Sequence, residues 1–336
     1  GAMNVAQRSA SVTGLGAADG YFTCDRWHIN QGATSAGRFT MSQTADGPDG
    51  ISANCLKLDC TTADTSIAAG EYLILEQRFE GQNLQRMGKG LAGAKQVTVS
   101  FYVKASAAFD FVVELYDGDH DRQISKLYST TTDWVRHEFT IPADVDGGDQ
   151  PLDDDNALSF LLDFWLHSGA TYTSGTLNTA SWANATAANL AAGIDSFFSS
   201  TDNNFFLTGV QMEVGPVATE FEQEDISTTL AKCQRYYYRP TTAGDLTGNT
   251  HAQAATASVV IGSFVYKETM RAGPTIALFS IGNGTAGRIR KTSDGAETTS
   301  AGAANIGLNS FGFATGMSNL TAGDAYDLTF TADAEL

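Results

Sequence analysis

Hydrophobic and polar residues alternate with a period of two along most of this chain. In "VTVSFYVKAS", Val97, Val99, Phe101 and Val103 share one face of an extended strand, and Thr98, Ser100, Tyr102 and Lys104 share the other. Phe109, Phe111, Val113 and Leu115 alternate with Asp110, Val112, Glu114 and Tyr116. Farther on, Leu158, Phe160, Leu162, Phe164 and Leu166 alternate with Ser159, Leu161, Asp163, Trp165 and His167. Val135, Phe139 and Ile141 fall together, and Pro142 stops that strand. Clusters of Gly, Asp, Asn and Thr separate the runs, as turns between antiparallel strands require. Helical periodicity is nearly absent. The pattern predicts an all-β chain built on two sheets packed face to face.

The continuous set of strands ends after Phe221. "ISTTLAKCQRYYYR" predicts a short helical turn and then a strand. Beyond Pro240 the composition shifts to Gly, Ala, Thr and Ser with short apolar runs, "ASVVIGSFVY", "PTIALFS", "IGLNSFGF" and "AYDLTFTADAEL". The expected organisation is a β-sandwich over residues 4–225, a linker with a short helical turn over 226–240, and a smaller all-β domain over 241–336. "TSDGAETTSAGAA" reads as a mobile loop. Gly1-Ala2-Met3 reads as a protease-cleavage scar and is set aside. At the seam, Val210, Met212 and Val214 are expected to face the core and Gln211 and Glu213 to face out. Gly215-Pro216 ends the strand and Phe221 pins the exit. Arg235, Tyr236, Tyr237 and Tyr238 offer stacking bulk where two domains meet.

A formal net charge of −18, with 38 acidic residues against 20 basic ones, argues against a phosphate-backbone partner. No apolar run approaches the roughly 20 residues that cross a bilayer as a helix. Cys24, Cys55, Cys60 and Cys233 lack CxxC spacing and read as free thiols, which favours assembly in a reducing cytoplasm.

Catalytic wording is missing: there is no G-x-S-x-G, no H-E-x-x-H and no P-loop. "GLGAAD" at Gly14–Asp19 lacks the third glycine of a dinucleotide loop. No enzymatic activity is expected. Asp144, Asp146 and Asp149 around a Gly pair have the look of an oxygen-ligand loop, which makes a structural calcium ion the one candidate cofactor; a solvated acidic loop is the alternative.

If the Leu158/Phe160/Leu162 side of its strand is core, Asp163, Trp165 and His167 project from the opposite side. Tyr102, Glu114 and Tyr116 project similarly from other strands. Rings that stack on sugars, with carboxylates and an imidazole for hydroxyls, suit glycan recognition. Cover by the Tyr172–Ser200 stretch or by a neighbouring subunit is the alternative for that face. Trp27 and Trp134 read as packing residues at strand ends.

"LTGVQMEVGPVATEFE" followed by "CQRYYYR" resembles wording of tail-fibre and related appendage proteins of tailed bacteriophages. "GYFTCDRWHIN" (Gly20–Asn30) is similar to the opening strand of their carbohydrate-binding-module-like jelly rolls, and "ETMRAGPT" (Glu268–Thr275) and "TADAEL" to their C-terminal domains. The resemblance implies a jelly-roll sandwich followed by a second β domain. It also implies a non-enzymatic virion protein, assembled in the host cytoplasm, that serves host attachment through a surface glycan. Its other partners would be virion proteins and its own copies, as a homotrimer held by residues after Cys233. The small Gly/Ala/Thr-rich C-terminal stretch independently calls for such cover. The alternative function is a carbohydrate-binding module of a secreted bacterial hydrolase or adhesin.

Overall fold

The computed structural model describes residues 1–32, 35–145, 150–241 and 250–336. The chain forms two compact units, Gly1–Glu224 with Leu336, and Asp225–Glu335. Both are built of antiparallel strands, so the all-β expectation holds.

The first unit is a jelly-roll β-sandwich. Its strands are β1 (Ser11–Leu15), β2 (Gly20–Tyr21), β3 (Trp27–Gly32), β4 (Arg38–Thr44), β5 (Cys55–Thr62), β6 (Tyr72–Glu80) and β7 (Val97–Ala105). β8 (Asp110–Asp117), β9 (Arg122–Ser129), β10 (Val135–Ile141), β11 (Leu158–Ser168), β12 (Ala183–Asn184) and β13 (Asn204–Val214) complete it. One sheet runs β1-β4-β5-β13-β7-β10 and the other β12-β9-β8-β11-β6-β3-β2. The inward faces are those the alternation predicts. Val97, Val99, Phe101 and Val103 meet Phe160, Leu162, Phe164 and Leu166 in one core, where the Phe101 ring lies edge-on to Phe164 at 5.0 Å.

Two features depart from simple alternation. In β13 the inward set switches from Phe205 and Leu207 to Val210 and Met212, because a bulge separates the Thr208↔Tyr102 and Gln211↔Ser100 pairs. Gly209 makes the bulge with φ +59°, and a Cβ there would stand 2.8 Å from the Tyr102 ring. Val214, expected in the core, is exposed at the end of β13, although it still pairs with Val97 of β7. The residues set aside at the N-terminus are packed: Met3 lies in the core, and the Gly1 amine donates to the Val210 carbonyl at 2.9 Å.

The seam wording acquires a physical meaning here. Gln211 and Glu213 do face out, and they hold the chain as it folds back over the sheet. Glu213 accepts from the Thr219 N–H at 2.8 Å, Gln211 accepts from the Glu222 N–H at 2.9 Å, and Arg136 donates to the Thr219 carbonyl. Gln223 donates to the Ile51 carbonyl at 2.7 Å. Replacing Gln211 and Glu213 together by Ala should free this clasp. Limited proteolysis is expected to cut between Val214 and Asp225 several-fold faster in the variant, with the sandwich fragment intact; an unchanged cutting rate would show that the clasp does not hold the segment.

In the second unit, α2 (Ile226–Gln234) is capped by Asp225, whose carboxylate accepts from the Ser227 N–H; the four-residue α1 (Ala170–Thr173) belongs to the first unit. The strands are β14 (Tyr237–Tyr238), β15 (Thr250–Ala254), β16 (Val260–Ile261), β17 (Ser263–Val265), β18 (Thr275–Phe279), β19 (Arg290–Lys291), β20 (Ala303–Ala304), β21 (Ser310–Phe313) and β22 (Ala325–Asp333). The residues read as a joint are built into this unit. Tyr236, Tyr237 and Tyr238 are buried, Tyr237 and Tyr238 pair with Asp333 and Ala332, and Tyr238 packs on Tyr266 and Phe330. The Arg235 carbonyl accepts from the Arg271 N–H at 2.8 Å. The stretch read as a mobile loop is also tied down: Thr298 is buried, and Glu297 accepts from Ser280 Oγ at 2.5 Å.

Candidate functional site

The sequence grouped six residues as one glycan face; the structure separates them. Glu114, Tyr116, Asp163 and Trp165 lie on the outer side of the seven-stranded sheet; a bulge after Trp165 turns His167 to the inner side, level with Leu73 and 5.1 Å from the Phe198 ring, and Tyr102 lies on the outer side of the other sheet.

Across the seven-stranded sheet runs a polar rung, His28↔Glu76↔Asp163↔Glu114↔Ser125. The next rung, Asn30↔Ile74↔Trp165↔Val112↔Leu127, is mostly apolar. The segment after β11 lies over it. Trp165 with Ile74, Val112 and Ala191 forms a second small core, packed against Tyr72, Tyr172, Leu177, Leu190 and Ile194. Trp165 is only 3% exposed, Asp163 5%, Glu114 1% and His167 0%. The expectation that these side chains meet solvent is therefore corrected. The alternation placed Glu114, Asp163 and Trp165 on the right face, where Tyr172, Leu177, Leu190 and Ile194 cover Trp165; it misplaced His167, because the bulge breaks the period of two.

Burial sets the chemistry of the rung. His28 at 3.0 Å, Arg78 at 2.8 Å and Asn30 surround the Glu76 carboxylate and, against the pull of burial, hold it below its usual range. Burial pushes the Glu114 carboxyl up to about 8, although Trp165 Nε1 donates to its Oε2 at 2.7 Å; the Glu76 charge adds to the rise. Burial and the Glu76 and Glu114 charges push Asp163 well above the carboxylate range. Glu114 Oε1 and Asp163 Oδ1 find no donor in the protein, as suits acids that keep their protons at neutral pH. His167 bonds Ser196 Oγ at 2.7 Å, and burial lowers its imidazole to about 4. Tyr116 donates to Asp121 and is half-buried. A sugar ring has no access to carboxyls sealed this way.

The calcium reading fares differently at its three residues. Asp146 and Asp149 lie outside the described residues. Asp144 is buried and already neutralised: Arg122 Nη2 reaches its Oδ1 at 2.6 Å, and Arg122 Nε and Lys89 Nζ reach its Oδ2 at 2.9 and 2.8 Å. A metal ion on Asp144 would have to displace two buried cations, so its assignment as a ligand is corrected. Asp117, Asp119 and His120 also gather, but the Asp117 oxygens are taken by Lys89, by the His120 ring and by backbone N–H groups of Asp119 and His120.

The outer face of the first unit's six-stranded sheet is partly covered, with Thr98, Ser100 and Thr208 buried, and reaches solvent toward Lys104 and Trp134. Along it stand Lys57, Phe206 and Lys104 in register, with Trp134 one residue before β10. The Trp134 ring is half-buried and held by three contacts. It meets Phe206 edge-on at 6.2 Å, Lys104 Nζ sits 5.2 Å from its centre, and its indole N–H donates to the Asp46 carbonyl at 3.1 Å. Lys104 in turn pairs with the Asp46 carboxylate at 2.7 Å. In the next rung Tyr102 lies under the Arg136 guanidinium at 5.8 Å, and Arg136 pairs with Glu138. A cavity of about 400 Å³ opens beside it, walled by the Ala45–Ala53 loop and Gln223. The sequence reading missed Trp134 because it stands outside the strand, where a period of two assigns no face. Its signal is the neighbouring "TTDWVR" turn, which carries the ring to a sheet edge.

No protein-family model and no curated protein matches the sequence. Among solved structures, the chain is similar to one described as "CBM4 structure and function", at 14% identity over 57% of this chain and 88% of that one, with a TM-score of 0.31. It is also similar to the family 11 carbohydrate-binding module of the cellulosomal cellulase Lic26A-Cel5E of Clostridium thermocellum, at 12% identity over 60% and 98% with a TM-score of 0.29. A family 30 carbohydrate-binding module matches at 10% identity over 66% and 97%, with a TM-score of 0.31. At these scores the likenesses carry no argument about what this chain does.

Proposed function

We propose that the first unit is a non-catalytic glycan-binding module and that its binding surface is the solvent-reaching patch around Trp134, Lys104 and Tyr102, which the buried Phe206 ring supports. The observation that carries this reading is the half-buried Trp134 ring, fixed by Phe206 and Asp46 and bordered by Lys104 and Asp46. Such a ring stacks on the apolar face of a sugar at little entropic cost, and the bordering charges hydrogen-bond its hydroxyls.

Glycan binding of this kind serves a module of a secreted bacterial hydrolase or adhesin as well as a virion appendage. The module reading asks for nothing beyond the sandwich and its platform. The virion reading rests on the seam wording, and two properties agree with it. All four cysteines are buried and none is in a disulfide bridge, as in a protein assembled in a reducing cytoplasm. The second unit also adds material that a simple accessory module does not need. We propose the virion setting on those grounds, with a homotrimer presenting several weak sites at once to a host-surface glycan.

Trp134→Ala is expected to weaken glycan binding tenfold or more, about 1.4 kcal/mol. Affinity electrophoresis reads the binding, and the thermal melt should move little because the ring is only half-buried. Undiminished binding would remove the platform from the account.

A further inference from the structure

Three long stretches of the second unit contain no Asp, Glu, Lys or Arg: Ala252–Tyr266, Ala272–Gly287 and Thr298–Gly323; the first and the last concern one surface. The fold brings them together. β17 pairs with β21 through Ser263↔Gly312, Phe264↔Phe311 and Val265↔Ser310, and β20 adds to the far side of β21. Val259 bridges to Thr315, and the Tyr266 N–H donates to the Asn309 carbonyl at 2.9 Å. Among the described residues, β16, β17, β20 and β21 therefore bring no charged side chain to this wall, in a chain whose formal net charge is −18; Lys267 and Glu268 stand at its border.

That wall is also apolar where it meets solvent. Val265 is 71% exposed and Ile261 54%, with Ile306 and Leu308 exposed on the loop that leads into β21. Along β16 and β17, Ile261, Ser263 and Val265 point outward, while Val260 is buried and Phe264 packs against the core. The run is thus apolar on both sides. β17 is moreover an edge strand of its three-stranded sheet, and exposed apolar edges are sites of chain association.

We propose that this wall, centred on Ile261 and Val265, is where copies of this chain associate. Two strongly acidic chains repel each other over most of their surfaces. They approach at least electrostatic cost where neither carries charge, and the apolar side chains supply the attraction. A basic partner would instead select the acidic surfaces, and an anionic membrane would select a basic one. The inference rests on the self-assembly proposed above and goes beyond it by naming the surface.

Light scattering on the full chain and on an Ile261→Glu/Val265→Glu double variant tests it. The wild type is expected to have the trimer mass and the variant the monomer mass, since every copy would then bring two carboxylates into the contact. Near-ultraviolet circular dichroism from the buried Tyr238 and Tyr266 checks that the second unit still folds, and the milder Val265→Ser should weaken assembly without abolishing it. Leu127→Glu, at an exposed apolar position of the first unit, should leave the mass unchanged. An assembled double variant would overturn the surface and leave self-assembly standing. A wild type that stays monomeric at its highest soluble concentration would overturn both and give the wall to a different protein.

Discussion

Replacing Trp165 with Ala is expected to cost the first unit about 3–5 kcal/mol, the range for emptying a large buried aromatic site. The indole fills the second small core, 5.8 Å from the Tyr72 ring and 5.5 Å from the Tyr172 ring. Its N–H is the donor held by Glu114, so truncation also strips a buried carboxyl of its partner. Trp165→Phe keeps much of the ring and loses only that donor, which should cost about 1–3 kcal/mol. Denaturant melts followed by tryptophan fluorescence read these losses cleanly, because all four tryptophans lie in the first unit. Glycan binding by folded Trp165→Phe should match the wild type. A Trp165→Ala protein as stable as the wild type but deficient in glycan binding would restore the exposed-face reading.

The polar rung makes stability depend on pH in a direction that follows from its acids. Glu114, raised by burial from 4.5 to about 8, favours the native state fully only below the lower value, and its contribution fades as pH rises toward the higher one. Asp163 acts in the same sense; its neighbours on the rung are Glu76 and Glu114, and the Arg78 guanidinium is the nearby cation. His167 acts oppositely. Burial lowers it from 6.5 to about 4, so its contribution is lost as pH falls through that window. The opposed effects overlap below pH 6.5 and leave the acids alone above it. Stability of the first unit should therefore fall between pH 6.5 and 8, by up to about 1.4 kcal/mol per pH unit for each proton released. Glu114→Gln keeps an acceptor for Trp165 and removes the titration, so its slope over that window should be shallower. Equal slopes for the two proteins would show that Glu114 does not carry the effect.

How much of this was legible in the sequence depended on whether the information was local. The inward faces of β7, β8, β10 and β11 follow from alternation, because a pleated strand sends successive side chains to opposite sides. The cover over Trp165 did not, since Tyr172, Leu177, Leu190 and Ile194 reach it from an Ala/Ser/Asn-rich stretch with no period of its own. Asp163 and Glu114 looked like surface groups because alternation assigns a face and does not show what packs over it. Asp144 looked like a ligand because Lys89 and Arg122 are distant in sequence. Gln211 and Glu213 were placed correctly outward, but their task became visible only when the chain was seen to turn back at Gly215.

The most direct test of the central claim is a glycan array probed with the full chain and with Trp134→Ala in parallel. The account predicts a defined set of glycans bound by the wild type and lost, or reduced at least tenfold, in the variant, with both proteins equally folded. Absence of any bound glycan, or a set bound identically by both proteins, would contradict it.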